Sequence, residues 1–337
     1  MASVGTDKTE RASSRLPVHN AARAWRFVGR YGTLVVLGIM AVGFSLASPN
    51  AFPTMSNFTN VVSQMSLTAI VAGGLTMPLV AGEFDLSIGY MASLSGVLVV
   101  GLIDHHVPVA VAFAIVLALG LFVGFINGMI VTKLGVNALI ATLGTGTILV
   151  GCNYWYAGGI PIALSQSMQG FTELSLGRAI LGVPNPIVIM AAVLIALWVL
   201  LNQTPLGQHI QAVGANPEAA MLAGVRVDAT KTAAFMISGV CAALAGALLA
   251  SRIGSGQITA GDGYMLDAFA AVFLGSAALR DGVFHIVGTF IGVLTVGLGF
   301  NGLAILGVPS AVQFFFRGGL LVVAVALSSA ARKFVHR

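Results

Sequence analysis

Three places in this chain carry residues whose types and spacing suit chemistry or recognition beyond simple packing. The first is Gly214-Ala215-Asn216-Pro217-Glu218-Ala219-Ala220-Met221-Leu222-Ala223-Gly224. It has the grammar of a short helix at both ends. Asn216 suits a cap, Pro217 the first helical position, Glu218 the positive end of the helix dipole, and Gly224 the stop. A helix so brief is not stable alone in water, so it must dock on a partner, on lipid headgroups or on its own protein. The second is Gly82-Glu83-Phe84-Asp85-Leu86-Ser87-Ile88-Gly89, where two carboxylates precede an apolar run. A cap-forming Asp85 there predicts a helix start, with ion binding as the rival role. The third is a pair of charges inside apolar segments, Asp267 and Arg317. Burial of either charge at a bilayer centre costs about 2.5–3.5 kcal/mol. Asp267 must therefore lie near an interface, be paired or face water, while the long stem of Arg317 can reach toward headgroups.

Other chemistries lack their residues. None of the four Lys residues has the preceding glycine of a Gly-x-x-x-x-Gly-Lys-Ser/Thr loop, so the chain carries no ATP-hydrolysing motif. His19 and His336 are in the tails, His209 and His285 stand singly, and His105-His106 follow Asp104 in an expected external loop. Adjacent histidines rarely converge on one ion, so no metal site is expected. Cys152 and Cys241 lie in apolar segments without paired spacing and read as small buried hydrophobes. No nucleophile, base and orienting carboxylate stand in a suggestive order, which argues against an enzyme.

The elements that must position these residues are apolar. Hydrophobic residues make up 57% of the 337 positions and charged ones 8%, and mean hydropathy is +0.96, too little polarity to cover a soluble fold. The apolar runs are continuous rather than alternating, which disfavours a closed β-barrel. At about 20 residues per crossing the chain supplies on the order of ten helices, an all-α integral membrane protein. The expected spans are Thr33 to Ser48 and then 58–80, 88–103, 108–131, 138–157, 184–202, 231–251, 264–279, 284–306 and 310–329. Residues 1–32 read as a polar cytoplasmic tail, 33–330 as one transmembrane domain, and 331–337 as a second cytoplasmic tail. Ser45-Leu46-Ala47 mimics a signal cleavage site, but the long basic leader before it favours a retained anchor.

With the basic N-terminus inside, alternation places Lys133, Arg226, Lys231, Arg280, Arg332, Lys333 and Arg337 on the same side. Only Arg178, Arg252 and Arg317 depart from that pattern. The net charge of +5 is thus a matter of membrane orientation rather than nucleic-acid binding. Small residues recur at four-residue spacing in Gly120, Gly124 and Gly128, in Ser238, Ala242, Gly246 and Ala250, and in Gly288 and Gly292. Those faces are expected to pack against neighbouring helices.

Taken in order, these stretches resemble the permease subunits of ribose-type ABC importers. The resemblance covers nearly the whole chain after residue 30. It rests on Gly82 to Gly89, Asn127-Gly128, Ala141-Thr142-Leu143-Gly144 and Gly207 to Gly224. Gly261-Asp262-Gly263-Tyr264, Leu266-Asp267-Ala268, Ala270-Ala271-Val272 and Gly288-Thr289-Phe290-Ile291-Gly292 complete it. Departures are Gly275-Ser276 in place of a glycine pair, the turn Leu279-Arg280-Asp281-Gly282, and Met265 where an acidic residue is common.

The resemblance implies a coupling loop over about 207–228. Its Asn216, Glu218, Ala219, Ala220 and Gly224 would contact a separate ABC ATPase subunit, which holds ATP and Mg, while this chain binds no cofactor. It further implies a periplasmic or extracellular solute-binding protein, a second permease chain, and a ribose-like pentose or related monosaccharide as cargo in the bacterial cytoplasmic membrane. Asn127, Thr142, Thr145 and Thr147 are the polar groups available to line a path, although such hydroxyls often bond their own backbone. A polyol, a nucleoside, a furanose signal molecule or a branched amino acid would suit the same architecture. An ion-coupled transporter or a non-transporting scaffold are the rivals from other classes.

Overall fold

In the computed structural model the described residues are 16–164, 169–180, 182–276, 278–279 and 282–335, with side chains described from residue 31 to 326. The chain runs α1 (Leu16–Ala47), α2 (Met55–Val80), α3 (Ile88–Asp104), α4 (Val109–Lys133) and α5 (Ala138–Ala157). After β1 (Ile162–Ala163) come α6 (Gln169–Leu176), α7 (Asn185–Gln203), α8 (Pro205–Ala215), α9 (Pro217–Leu222) and α10 (Val227–Ile253). The last elements are β2 (Ser255–Gly256), α11 (Asp262–Ser276), α12 (Ile286–Ile305) and α13 (Ser310–Val335).

Helices dominate because a backbone in hydrocarbon must satisfy its own polar groups. Among the described residues, six helices (α2, α4, α5, α7, α10 and α12) are long and apolar enough to cross a bilayer, and Tyr31–Ala47, Ile88–Asp104 and Ser310–Ala326 are shorter apolar helices. The expected span at 264–279 is α11, which has 15 residues. At 1.5 Å per residue it measures about 22 Å, short of a hydrocarbon core of about 30 Å. The structure thus gives an all-helical membrane bundle without establishing ten crossings. Helix α1 begins at Leu16, inside the stretch read as a polar tail. Residues 1–15, Arg280, Asp281 and Arg337 lie outside the described residues.

The small-residue rows pack as their spacing predicts. A side chain at Gly120, Gly124 or Gly128 would strike Gly239, Phe235 or Thr232, so α4 lies backbone to backbone on α10. Two turns further along the same side of α10, Gly246 faces Ala92 of α3, while another side of α10 meets α2, where Gly74 faces Cys241 and Ser238. Gly288 and Gly292 of α12 likewise meet Gly275 and Ala271 of α11. Lipid supplies no hydrophobic drive between helices, so this close approach is what holds them. Helix α2 is central, 83% of its apolar stretch being buried against 28% for α4 and for α7.

Two ends of the bundle can be distinguished. One carries α8, α9 and the ion pairs Lys133–Asp228 (2.7 Å) and Lys231–Glu83 (2.5 Å). At the other, a two-residue antiparallel ladder joins β1 to β2, pairing Ile162 with Gly256 and Ala163 with Ser255. No strand signal announces that ladder in the sequence.

Candidate functional site

The α9 end is built from two turns of the same design. Helix α9 starts at an Asn216 cap whose side chain accepts from Ala219 N at 3.0 Å, with Pro217 and Glu218 in the first turn. It stops where Gly224 N donates to Met221 O and Val225 N to Ala220 O, with Gly224 at φ +86°. That double bond is the Schellman arrangement, and only glycine adopts the left-handed backbone without strain. Helix α2 stops in the same way, Gly82 N donating to Leu79 O and Glu83 N to Pro78 O, with Gly82 at φ +85°. The two turns are linked through α8. A side chain on its Gly214 would run into the Val80 carbonyl, so α8 rests directly on the end of α2. Of the α9 residues only Ala220 is buried, while Met221 is 61% and Leu222 87% exposed, leaving an uncovered apolar edge beside Glu218.

Above these turns lies a buried polar knot. Asp85 is not itself the cap residue of α3. It reaches forward as an Asx turn, its Oδ1 accepting from Ser87 N at 3.0 Å and Ser87 Oγ at 2.6 Å. Asn127 of α4 donates to Ser87 Oγ at 2.9 Å, and Thr145 of α5 donates to Asn127 Oδ1 at 2.6 Å. Thr142 Oγ1 accepts from Leu86 N at 3.0 Å while donating to Ala138 O at 2.7 Å. The Ser238 hydroxyl of α10 faces Asp85, although neither it nor Asp85 Oδ2 has a partner within strict hydrogen-bond geometry. Asp85, Ser87, Asn127, Thr142 and Ser238 are all buried.

Helix geometry gives the depth of this knot. Asn127 lies six residues before the last residue of α4, Lys133, and Thr145 seven after the first residue of α5, Ala138. At 1.5 Å per residue each position is about 9–10 Å into the bundle from the α9 end. The 81–87 connection therefore dips inward, which shortens α3.

The structure brings Asn127, Thr142 and Thr145 together around that dipping turn. Thr147 is not among them, being exposed on α5 and donating to Leu143 O at 2.9 Å. Sequence reasoning passed over Ser87 and Ser238 as partners and the Glu83–Lys231 pair. Ser87 was visible inside the Gly82–Gly89 stretch and Ser238 inside a small-residue row, but their convergence was not.

The remaining singled-out residues have structural partners. Arg317 does not stretch to the headgroups: its Nε lies 2.8 Å from Asp267 Oδ1, and its Nη2 donates to Asp267 Oδ2 at 3.2 Å. The other two basic residues off the charge pattern are also bonded, Arg252 Nη2 to Ser63 O at 2.6 Å and Arg178 Nη1 to Gly182 O at 3.0 Å. His285 caps α12 by accepting from Gly288 N at 2.6 Å, and His106 occupies the left-handed position after α3 at φ 63°. Cys241 is buried as expected, but Cys152 is exposed, because it lies on the outward side of α5. Among the described residues no three His, Cys, Asp or Glu side chains are grouped to hold a metal.

Comparison with known proteins follows this architecture. A family model described as "Branched-chain amino acid transport system / permease component" matches residues 57–325. The ribose import permease protein RbsC of Escherichia coli (strain K12) is 38% identical over 299 residues, 88% of this chain and 92% of that protein. RbsC of Bacillus subtilis (strain 168) is 38% identical over 298 residues, again 88% and 92%. The L-arabinose transport system permease protein AraH of Escherichia coli (strain K12) is 34% identical over 300 residues, 89% and 90%. No solved structure matches the chain. With the family model spanning most of its length, and relatives above 30% identity covering nearly nine-tenths of it, the chain belongs to the ribose-type ABC permease family.

Proposed function

We propose that this chain is the transmembrane subunit of an ATP-driven importer that carries a ribose-like pentose or related monosaccharide into the cytoplasm by alternating access. The observation that carries the mechanism is the α9 turn, capped at both ends, exposing Met221 and Leu222 and seated through Gly214 on the end of α2. An apolar edge at a polar end of a bundle calls for a partner. We assign that partner to a separate ABC ATPase, which holds ATP and Mg, with Asn216, Glu218, Ala219, Ala220 and Gly224 forming the docking turn. The α9 end, rich in Lys133, Arg226 and Lys231, then faces the cytoplasm together with both termini. A second permease chain and an exported solute-binding protein complete the machine in the cytoplasmic membrane. Thr147, open on α5, and the partly open Thr145 border the path, with Asn127 and Thr142 supporting them from behind.

Sugar is favoured as cargo because the relatives named above are ribose and arabinose permeases. The name of the family model supplies a second reading, a branched-chain amino acid. Vesicles holding the permease, its ATPase and its binding protein should take up labelled D-ribose only with ATP inside the ATPase compartment. Uptake driven by an ion gradient without the ATPase would overturn the reading, and uptake of leucine but not ribose would replace the sugar. Glu218→Arg is expected to leave membrane insertion intact and to reduce ATPase capture in pull-downs.

A further inference from the structure

The Asp267–Arg317 pair is an ion pair of the membrane-embedded part that neither the docking turn nor the polar knot uses. Asp267 is five residues into α11 and Arg317 seven into α13, each about 8–10 Å from the β-ladder end. Phe300 lies under the guanidinium, 4.9 Å from its carbon to the ring centroid, and Phe314 flanks it at 5.7 Å. Tyr264 is within electrostatic reach of both charges. The pair is not sealed: the Arg317 side chain keeps 25% of its surface open against 9% for Asp267. Two of its three nitrogens are spent on Asp267. The third, Nη1, stands opposite Gly263, where no side chain fills the gap, and has no hydrogen-bond partner among the described residues.

Lipid is a poor neighbour for that open nitrogen. Charged side chains inside a membrane face a water-filled cavity or the bundle interior, unless the stem snorkels to the headgroups. Arg317 cannot snorkel while it is held by Asp267 and Phe300. Its neighbours Gly318 and Gly319 add no side chains to that stretch of α13 and have open space beside them. The open part of the guanidinium therefore calls for water or a polar partner rather than lipid. What it presents is the free Nη1 of a fixed guanidinium, next to a carboxylate that Arg317 already holds and to the Phe300 and Phe314 rings. The two N–H groups of that fixed nitrogen suit adjacent hydroxyls, and the exposed Phe314 ring suits the C–H face of a pyranose or furanose.

We infer that Arg317, positioned by Asp267 and flanked by Phe300 and Phe314, is a transient contact for a neutral monosaccharide on the transport path, engaged through adjacent hydroxyls. This inference rests on the sugar-importer reading above. A soluble receptor delivers the cargo, so the half-saturating sugar concentration belongs to the receptor, and a permease contact acts on the maximal rate.

The test uses the complete importer in vesicles, with D-ribose and 2-deoxy-D-ribose as probes. The informative variant is the double substitution Asp267→Leu with Arg317→Met, which removes the ion pair without leaving a lone buried charge. It is expected to insert normally and to keep receptor-stimulated ATPase activity within about twofold, while ribose uptake falls about tenfold and the ribose preference over 2-deoxyribose is lost. Asp267→Glu, which keeps the carboxylate, should retain the preference. Phe314→Ala changes a ring that is 67% exposed and so spares folding; it should lower ribose uptake about threefold. Wild-type uptake and preference in the double variant, or unchanged uptake in Phe314→Ala, would overturn the inference and leave the pair as a tie between α11 and α13. Should the wild-type importer move no ribose at all, the sugar reading itself falls and takes this contact with it.

Discussion

Asp85 and Asp267 are both buried carboxylates in a membrane bundle, yet one sits in a knot of hydroxyls and an amide drawn from four segments while the other is held by a single guanidinium. Around Asp85, the 81–87 turn, α4, α5 and α10 each contribute a polar group, and the relay Thr145 to Asn127 to Ser87 ends on the carboxylate. Around Asp267 the holding group is Arg317 alone. The first arrangement spreads many modest bonds over elements that must keep their spacing. The second concentrates charge in two residues and leaves part of it open. Each leaves a donor without a close partner, the buried Ser238 hydroxyl in the first and Arg317 Nη1 in the second, but only the second is charged and partly open.

This contrast can be broken most severely at the ion pair. Asp267→Leu alone leaves a partly buried guanidinium unpaired and should cost up to about 3 kcal/mol, whereas adding Arg317→Met should recover most of the loss. Thermal unfolding in detergent would check both, and equal losses in the single and double variants would refute the pairing. Next in size is the knot. Asn127→Leu leaves Ser87 and Thr145 without a shared partner, for an expected loss of about 1–3 kcal/mol in the same assay.

Asp85→Asn sharpens the comparison further. The amide oxygen can still accept from Ser87 and its nitrogen can donate to Ser238, so a change within about 1 kcal/mol is expected. A much larger loss would mean that the knot depends on charge after all and is not the opposite of the Asp267 site. Glu83→Gln loosens a partly exposed pair with Lys231, worth about 0.2–1 kcal/mol and weaker in high salt. Thr147→Ala, on the open face of α5, should move stability by less than about 0.5 kcal/mol.

Much of the architecture was readable along the chain because its signals are local. The edges of α5, expected at 138–157, coincide with Ala138–Ala157, since Asn137 caps one end and Gly158 at φ +64° closes the other. The Asn216 cap and the Gly224 stop were equally plain, as were the glycine faces of α4 and α12. Local signals misled where a neighbour in space decided the outcome. Cys152 looks like a core residue by its apolar context, but its side of α5 faces outward. Asp85 looks like the cap at the start of α3, yet Ser87 takes that position and the turn lies about 9–10 Å inward among partners on α4 and α5.

The sequence by itself determined that this is a helical membrane protein, where most of its helices begin and end, and which faces are small enough to pack closely. Those features follow from hydrocarbon length, backbone satisfaction and glycine, all expressed within a few turns of chain. Tertiary structure alone decided that Asp85 meets Asn127 and Ser238, that Gly214 rests on Val80, and that Asp267 meets Arg317 fifty residues away. Such meetings depend on how each helix is rotated and how deep it sits against its neighbours, and both are set by the packing of the whole bundle rather than by any one segment.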